Sequence, residues 1–430
     1  MTTHFRFLIA AGALGALLPP CHVSADTGNA VTDWALIVQP AIHSAAAPRP
    51  AGSAQVLHTM VVLAMYDAVV AIEGGFEPYA TVITPFPGAD VRAAVATAAY
   101  RTARARVAPA RVAYLDEQYA IYMAALPDGP SKTDGVSVGD ASAKSLLAVR
   151  ADDGFDRVVP YWCSASPPPV EEFEPDTGCP TQSTDPQPAD AKLGQVRPFT
   201  FGDVRRLRPR GPRPLPSKGY ADDFVETRDY GRADSVFRSA EQTDIAYFWS
   251  EHPYVHWNRN LVGLALGRGL SLRDTARFFA MVHTAAADAT IAGFEAKYFY
   301  RSSRPRTAIP RADADGNRVT VGDPTWKPLL TVNHPEYPSG HAFWSTALLD
   351  AVAAFFGTDT VTWTITTSKT AVSPLVRTER TYQRLSVLGR EIDDARVWAG
   401  LHWRHAMRDG AQIGRRVARH VARHYFRPTS

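Results

Sequence analysis

The sequence predicts an all-α protein in which two helical bundles pack together and a long proline-rich loop lies between them. Apolar residues recur at helical spacing from Asp33 to about Arg150, and no strand-like alternation competes with this pattern. Between Pro160 and Pro216 the periodicity disappears, and this stretch holds 13 of the 33 prolines. Helical spacing resumes at Ser239 and continues to Tyr425. Two successive sets of helices therefore indicate two bundles.

Glycine and proline residues separate the predicted helices in both halves of the chain. In the first half we expect helices over residues 33–45, 53–72, 90–107, 109–125 and 131–149. In the second half we expect helices over residues 239–250, 258–267, 271–300, 340–356, 378–399 and 403–424. The predicted regions are a signal peptide at 1–25, an N-terminal helical bundle at 26–151, a proline-rich loop excursion at 152–235 and a C-terminal catalytic helical bundle at 236–430.

The N-terminus has the three parts of a secretory signal peptide. Arg6 is followed by an apolar run from Phe7 to Leu18, and Val23–Ser24–Ala25 places small residues where a signal peptidase would cut. We therefore expect export to the periplasm or the medium; a buried N-terminal helix is the alternative.

The excursion is long for a segment without regular structure, because such loops are uncommon within compact folds. It either decorates the surface or shapes a substrate entrance. Cys163 and Cys179 are the two cysteines left after signal cleavage, and in an exported protein we expect them to form a disulfide that closes a loop. Two free thiols are the alternative.

Composition limits the possible functions. Of the 430 residues, 45% are hydrophobic and 21% are charged, which is typical of a globular protein with a large core. The net charge is only +3 and the arginines are scattered, so nucleic acid is not expected as a partner. The best membrane-span candidate, Met60 to Ile72, is short and carries Asp67, so no stable membrane insertion is expected. A small anionic substrate is compatible with this composition.

The most informative motif is Pro338–Ser339–Gly340–His341, which precedes the apolar run Ala342–Asp350. A helix that begins here offers unpaired backbone N–H groups and the positive end of its dipole. A serine at the cap position with a glycine beside it suits a phosphate-like oxyanion. The sequence therefore predicts an anion site at this helix N-terminus.

Two cationic pairs flank this motif. Lys297 and Arg304 lie seven positions apart, and Pro305 biases Arg304 away from helical geometry, so a helix should end here with Arg304 at its mouth. Arg396 and His402 lie six positions apart, with a glycine between them that permits a bend. Taken alone, the pair Lys297 and Arg304 is typical of a solvated helix face. Taken alone, His402 is typical of a buried structural histidine. Together they suit a tetrahedral or trigonal-bipyramidal oxyanion.

The ordered set resembles the three-part signature of the vanadium-dependent haloperoxidases and the type-2 phosphatidic acid phosphatases. The first part is Lys297 with Arg304–Pro305, the second is Pro338–His341, and the third is Arg396 with His402. The order of the parts and the gaps between them agree with the family. Helical character before the motifs resembles the soluble haloperoxidase-like branch rather than the membrane-spanning phosphatases.

The resemblance implies an oxyanion cage that binds the equatorial oxygens of vanadate or phosphate through the side chains of Lys297, Arg304, Ser339 and Arg396 and the N–H of Gly340. It also implies that His402 bonds the vanadium or attacks phosphorus, and that His341 is the general acid/base. With vanadate as cofactor, the substrates would be hydrogen peroxide and halide. Without a metal, the substrate would be a phosphate ester, and His402 would form a phosphohistidine.

Two positions depart from the family's pattern. Ala395 stands where the family often has Ser, and Ala406 stands where it usually has an Asp four residues after the metal-binding His. An orienting partner for His402 is then either missing or supplied from elsewhere. The expected function is a vanadate-dependent haloperoxidase. The alternatives are a metal-free nonspecific acid phosphatase and a phosphate- or vanadate-binding protein without turnover.

Two further residues bear on halide choice. His334 lies five residues before Ser339, where the chain resembles the family's bromoperoxidases and the fungal chloroperoxidase type has Phe. This favours bromide or iodide over chloride; a polar turn residue beside a proline is the alternative. Phe294, three residues before Lys297, is expected to wall the pocket. His256–Trp257–Asn258 either lines the pocket or only begins a helix.

Overall fold

The computed structural model describes residues 29–80, 86–368 and 376–429, so the signal peptide expected at 1–25 lies outside the described residues. The N-terminal half contains α1 (Ala30–Ile37), α2 (Gln39–Ile42), α3 (Ala51–Glu73), α4 (Val91–Arg104), α5 (Val112–Ala124) and α6 (Pro130–Val149). The C-terminal half contains α7 (Lys218–Gly231), α8 (Ala240–Phe248), α9 (Pro253–Gly267), α10 (Leu272–Tyr300), α11 (Pro305–Ala308), α12 (Gly340–Phe356), β1 (Trp363–Thr366), β2 (Glu379–Tyr382), α13 (Leu385–Trp398) and α14 (Arg404–His424). The predicted all-α class with packed helical bundles is confirmed.

Several element boundaries differ from the prediction, most clearly in two places. The helix expected over 378–399 begins only at Leu385, because residues 379–382 form β2 and pair antiparallel with β1. In β2 the buried residues Arg380 and Tyr382 alternate with exposed ones, which is strand and not helix periodicity. The excursion expected over 152–235 also ends earlier than predicted, because α7 begins at Lys218.

Helix α10 is the centre of the fold. It packs against α3 of the N-terminal half and against α12 and α14 of the C-terminal half. One continuous hydrophobic core contains residues of both halves, such as Leu57 and Leu348. At Gly293 an added Cβ would come within 2.1 Å of the Phe343 ring, so only glycine lets α10 and α12 approach this closely. The two bundles therefore share one core.

Helix α3 explains the most apolar stretch of the chain. By length and composition it could cross a membrane, but 89% of its apolar window is buried inside the protein. Its carboxylate Asp67 accepts hydrogen bonds from the backbone N–H groups of Tyr79 and Ala80 at 2.6 and 2.8 Å. The apolar character of α3 is therefore accounted for by its place in the core.

Buried carboxylates fasten the proline-rich excursion to the core. Asp288 of α10 accepts hydrogen bonds from the N–H groups of Phe199 and Thr200 at 2.6 and 2.8 Å. Asp190 of the excursion accepts from the N–H groups of Gly52 and Ser53 at the start of α3, at 2.9 and 3.1 Å. The excursion is therefore held at both bundles, with 3-10 turns at Leu193–Gln195 and Val204–Leu207.

The expected disulfide between Cys163 and Cys179 is present, with 5.7 Å between the two Cα atoms. The loop that it closes runs beside the chain segment after α10. The N–H of Phe173 donates to the carbonyl of Arg301 at 2.7 Å, and the N–H of Ser303 donates to the carbonyl of Glu171 at 2.8 Å. The disulfide loop therefore supports the residues that lead into Arg304.

Candidate functional site

Lys297 and Arg304 converge through a turn and not through a shared helix face. Helix α10 ends at Tyr300, Arg301 adopts a left-handed conformation with φ 52°, and Arg304 is extended with ψ 154°. An extended backbone is what the residue before a proline favours. Both cationic side chains are buried, with 0% and 1% of their surface exposed. Arg304 therefore lies at the mouth of the helix, as predicted.

Three consecutive carbonyl groups before α12 orient both cations. Lys297 Nζ donates to the carbonyl oxygens of Pro335 and Glu336 at 2.7 and 2.9 Å. Arg304 donates from Nε to the carbonyl of His334 at 2.8 Å and from Nη2 to that of Pro335 at 3.2 Å. Carbonyl groups carry no net charge, so these bonds fix the cations without neutralising them. Sequence reasoning missed this, because backbone acceptors have no residue-type signal.

The start of α12 contributes donors to the same space. Ser339 is the N-cap residue, yet its side chain makes no capping hydrogen bond, and its buried Oγ has no partner among the described residues. An added Cβ on Gly340 would lie 3.9 Å from Lys297 Cε and from His334 Cε1, so the first turn of α12 faces these side chains. A buried hydroxyl without a partner is costly and indicates a site for a bound group.

Arg396 and His402 are brought together by a bend. Helix α13 ends at Trp398, and Gly400 has φ 71°, with an added Cβ only 2.4 Å from the carbonyl oxygen of Gly231. A side chain at this position is excluded both by the backbone conformation and by space. Arg396 Nη1 donates to the carbonyl of Trp249 at 2.8 Å, while its buried Nε has no partner in the described part of the chain.

The hydrogen bonds of His402 determine its tautomer. Arg304 Nη1 lies 3.2 Å from His402 Nε2, and a guanidinium group only donates, so Nε2 accepts. The ring proton is therefore on Nδ1, which donates to Glu336 Oε1 at 2.7 Å. The Trp403 N–H donates to the same oxygen at 3.1 Å. His402 is thus oriented with the lone pair of Nε2 toward Arg304 and the cage.

Glu336 supplies the orienting partner that Ala406 cannot. The sequence left open whether this partner was missing or came from elsewhere, and it did not single out Glu336. The available signal was an acidic residue two positions before the second motif. Asp409, one turn beyond Ala406, instead accepts a hydrogen bond from the Tyr337 hydroxyl at 2.8 Å. Ala395 is fully buried within the core.

The electrostatics of the site favour an anion. Burial lowers the pKa of Arg304 to about 10 and the pKa of Arg396 to about 9, so both stay charged at neutral pH. Burial, with Arg304 nearby, lowers the pKa of Lys297 well below its usual range. Burial raises the pKa of Glu336 to about 7. One carboxyl group that titrates near neutrality therefore lies beside Arg304 and Lys297, and Arg396 adds a further positive charge to the site.

His341 lies between the cage and an open pocket. It is on the first turn of α12 and lines a cavity of about 410 Å³ together with Gly340 and Arg396. Burial, followed by the charge of Arg396, lowers the pKa of His341 well below its usual value, so the ring is neutral. A neutral imidazole can accept a proton from a molecule in the pocket.

The pocket is mainly apolar, and its walls come from both halves of the chain. Its apolar side chains include Trp257, Phe294, Val332, Phe343 and Trp344. Phe294 walls the pocket as expected, and Trp257 lines it, which favours the first interpretation of the His256–Trp257–Asn258 cluster. Ala189 and Asp190 of the excursion also line the pocket, so the excursion contributes to its wall.

His334 contacts both the cage and the pocket. Its Nδ1 accepts from Arg304 Nη2 at 2.9 Å, which places the ring proton on Nε2. Its ring lies 5.4 Å from the Phe294 ring, measured between centroids. The structure thus brings together all predicted members of the site, namely Phe294, Lys297, Arg304, His334, Ser339, Gly340, His341, Arg396 and His402. The disulfide lies apart, in the excursion.

Fold and site together define an all-α protein with a buried cluster of cationic side chains and histidines at a helix N-terminus, beside an apolar pocket. Residues 277–430 match the family model described as the VCPO second helical-bundle domain. Among curated protein sequences, none matches this chain.

Solved structures similar to the chain are vanadium-dependent peroxidases. A bacterial iodoperoxidase shares 21% identity and a TM-score of 0.73, over 93% of this chain and 96% of that one. A holo-type bacterial chloroperoxidase shares 18% identity and a TM-score of 0.73, over 93% of this chain and 98% of that one. An apo-type bacterial chloroperoxidase shares 18% identity and a TM-score of 0.69, over 87% of this chain and 94% of that one. The fold is therefore that of the vanadium haloperoxidase and phosphatidic acid phosphatase superfamily, as the three motifs predicted.

Proposed function

We propose that this protein is a vanadate-dependent haloperoxidase that oxidises bromide or iodide in preference to chloride with hydrogen peroxide. The observation that carries the proposal is the convergence of buried cations and an unprotonated imidazole nitrogen on one enclosed space. Arg304 Nη1 lies 3.2 Å from His402 Nε2 within that space. The similar solved structures are vanadium-dependent peroxidases, which supports the same activity here.

The residues present fit a bound vanadate. Ser339 Oγ and Arg396 Nε are buried, and within the described residues neither has a hydrogen-bond partner, so both are available to oxyanion oxygens. Lys297, Arg304 and the Gly340 N–H would hold further oxygens, and His402 Nε2 is a suitable metal ligand. Bound vanadate would supply a Lewis acid that activates hydrogen peroxide toward halide without changing its own oxidation state.

The chain's own residues have separable roles in this proposal. Lys297, Arg304 and Arg396 stabilise the negative charge that develops on the oxyanion oxygens. His341, which is neutral, accepts a proton from hydrogen peroxide in the pocket and returns one to the leaving oxygen. Glu336 keeps the proton of His402 on Nδ1. The apolar walls limit the entry of water.

A metal-free acid phosphatase is the second candidate, and one observation favours it. A histidine whose Nδ1–H is held by a carboxylate presents its Nε2 as a nucleophile, which is the arrangement that covalent catalysis requires. The His402–Glu336 pair has this form, with 2.7 Å between Nδ1 and Oε1. His341 would then protonate the leaving alcohol.

A paired assay separates these functions. We expect the purified protein with vanadate and hydrogen peroxide to oxidise bromide, measured by bromination of a phenol dye, and to hydrolyse 4-nitrophenyl phosphate slowly or not at all without vanadate. Ester hydrolysis that vanadate abolishes, without bromide oxidation, would establish the phosphatase instead. Tight vanadate binding without either activity would indicate a binding protein.

Two histidine variants test the assigned roles. His402→Ala should lose both vanadate binding, measured by calorimetry, and turnover. His341→Ala should keep vanadate binding but lose about 10²–10⁴-fold in kcat, the usual contribution of a general acid/base. His424→Ala is the matched control, because this histidine is exposed on the last turn of α14. Unchanged turnover in either of the first two variants would contradict the roles.

A further inference from the structure

We infer that a second pocket beside the catalytic pocket binds the carboxylate of an aromatic acid, whose ring is the organic acceptor of the oxidised halogen. The pocket has a volume of about 480 Å³, which is enough for a small aromatic acid. Apolar residues such as Ala41, Ile42 and Val159 line it together with the cations Arg49, Arg157 and Lys192. The acceptor role rests on the proposed function, whereas the binding does not.

The three cations of this pocket lack carboxylate partners. In the described ranges of the chain, neither Lys192 nor Arg157 forms an ion pair, and Arg49 donates only to carbonyl groups. Those bonds are long, at 3.3 Å to Ile42 and 3.4 Å to Arg106. Burial, followed by the charge of Arg49, lowers the pKa of Lys192, while Asp156, Asp190 and Asp153 act in the opposite direction. An anion between Lys192 and Arg49 would relieve the repulsion between these two cations.

Nearby carboxylates are committed elsewhere. Both oxygens of Asp190 accept hydrogen bonds from the N-terminal residues of α3. Asp153 is paired with Arg150 at 2.7 Å, and Asp156 is paired with Arg106 at 2.7 Å. These carboxylates attract Arg49 and Lys192 without forming a hydrogen bond to either of them in the described part of the chain, so the donor groups of the two cations remain for a ligand.

One aromatic ring takes the place of a counterion. Lys192 Nζ lies 4.5 Å from the centroid of the buried Phe155 ring, and Arg49 Cζ lies 5.9 Å from it. Two cations that share one ring gain only a weak attraction from it. A carboxylate that bridges them would gain charge-assisted hydrogen bonds, which are stronger.

The cationic pocket and the catalytic pocket share walls. Pro50 and Asp190 line both cavities. His252, which lines the catalytic pocket, donates from Nε2 to the carbonyl of Arg49 at 3.1 Å. An acid anchored at Arg49 and Lys192 therefore lies against the wall that this pocket shares with the catalytic pocket.

The reaction balances with the reagents of the proposed function. Hydrogen peroxide oxidises bromide by two electrons, and the resulting electrophilic bromine replaces one ring hydrogen. A C–Br bond forms, a C–H bond breaks and its proton goes to water. Ring C–H, hydrogen peroxide, bromide and one proton give ring C–Br and two molecules of water.

Binding without turnover tests the site directly. The probes are 3-(4-hydroxyphenyl)propanoate and its neutral amide, titrated by calorimetry into the full chain with phosphate at saturation to fill the oxyanion cage. We expect the acid to bind at least tenfold more tightly than the amide, and Lys192→Gln to reduce this preference to threefold or less. Arg157→Gln, an exposed change that leaves the core intact, should reduce it in part. Lys218→Gln, at an exposed lysine paired with Asp222, should preserve it.

Each outcome decides the inference. Three results would overturn the inferred binding site. They are equal binding of acid and amide to the unaltered protein, an unchanged acid preference in Lys192→Gln, and displacement of the acid by phosphate. In a mixture of acid and amide with peroxide, bromide and vanadate, we expect the brominated acid to dominate and Lys192→Gln to lower the product ratio. If bromide is not oxidised at all, the proposed function fails while the binding result still stands. An even product ratio despite selective binding would overturn the acceptor role.

Discussion

Replacement of Glu336 by Gln separates two opposing effects of the carboxylate beside His402. Gln can still accept the hydrogen bond from His402 Nδ1, which spans 2.7 Å in the native protein, so the geometry is kept and the charge is lost. Loss of such a partner usually costs 10–100-fold in metal affinity, or about 1.4–2.7 kcal/mol. Loss of a negative charge near Arg304 and Lys297 has the opposite sign, because it strengthens the attraction for any anion.

Vanadate and phosphate report these effects differently. Phosphate does not take His402 as a metal ligand, so its affinity follows the charge effect and should stay equal or rise in Glu336→Gln. Vanadate affinity should fall by at least tenfold, because a less basic Nε2 is a poorer ligand. Calorimetry with each oxyanion at pH 8 measures the two affinities. The control is Glu117→Gln, which changes an exposed residue of α5.

The pH dependence provides a second test of the same reasoning. The pKa of Glu336 is raised to about 7 by burial, so its carboxylate is present above pH 7 and is lost as the pH falls through that value. The ratio of vanadate dissociation constants, variant over native, should therefore be largest at pH 8 and approach one below pH 6. An equal change in vanadate and phosphate affinity, or a ratio that does not vary with pH, would refute the reasoning.

Two further predictions concern halide choice and stability. His334→Phe removes one of the two acceptors of Arg304 Nη2 and leaves the carbonyl of Pro335. We expect the ratio of bromide to chloride oxidation to fall about tenfold, the effect of losing about 1.4 kcal/mol of selective stabilisation. Competition between the two halides measures this ratio, and a constant ratio would argue against a role for His334. Joint replacement of Cys163 and Cys179 by Ser should lower the free energy of unfolding by about 3 kcal/mol. The disulfide joins residues 16 positions apart, and a cross-link of this span restricts the unfolded chain by about that amount. Calorimetry should show a lower Tm, and an unchanged Tm would contradict the expectation.

The sequence was sufficient for the features that repeat or that depend on residue type. Helices such as α10 and α12 follow from their apolar spacing, and α12 has the predicted bounds. The cations and histidines of the site could be located because three ordered motifs carry them. The turn at Arg304 followed from the proline after it, whose steric effect is local.

Other parts of the site depend on contacts that no local pattern encodes. Glu336 and His402 are 66 residues apart, and nothing in either neighbourhood indicates that they meet. The carbonyl of Trp249, which holds Arg396, could have come from any residue type. The strand β2 was mistaken for helix because its partner lies across residues 369–375, outside the described part, and its pairing is not a local property.

The shared wall at Pro50 and Asp190 has a consequence for how such a protein can diversify. All cage side chains lie between residues 297 and 402, whereas the second pocket is built from residues 41–53, 108 and 157–192. A substitution among the lining residues of the second pocket therefore changes no side chain of the cage. Under the proposed function, substitutions in the second pocket can therefore change which organic acceptor binds while every cage side chain stays the same.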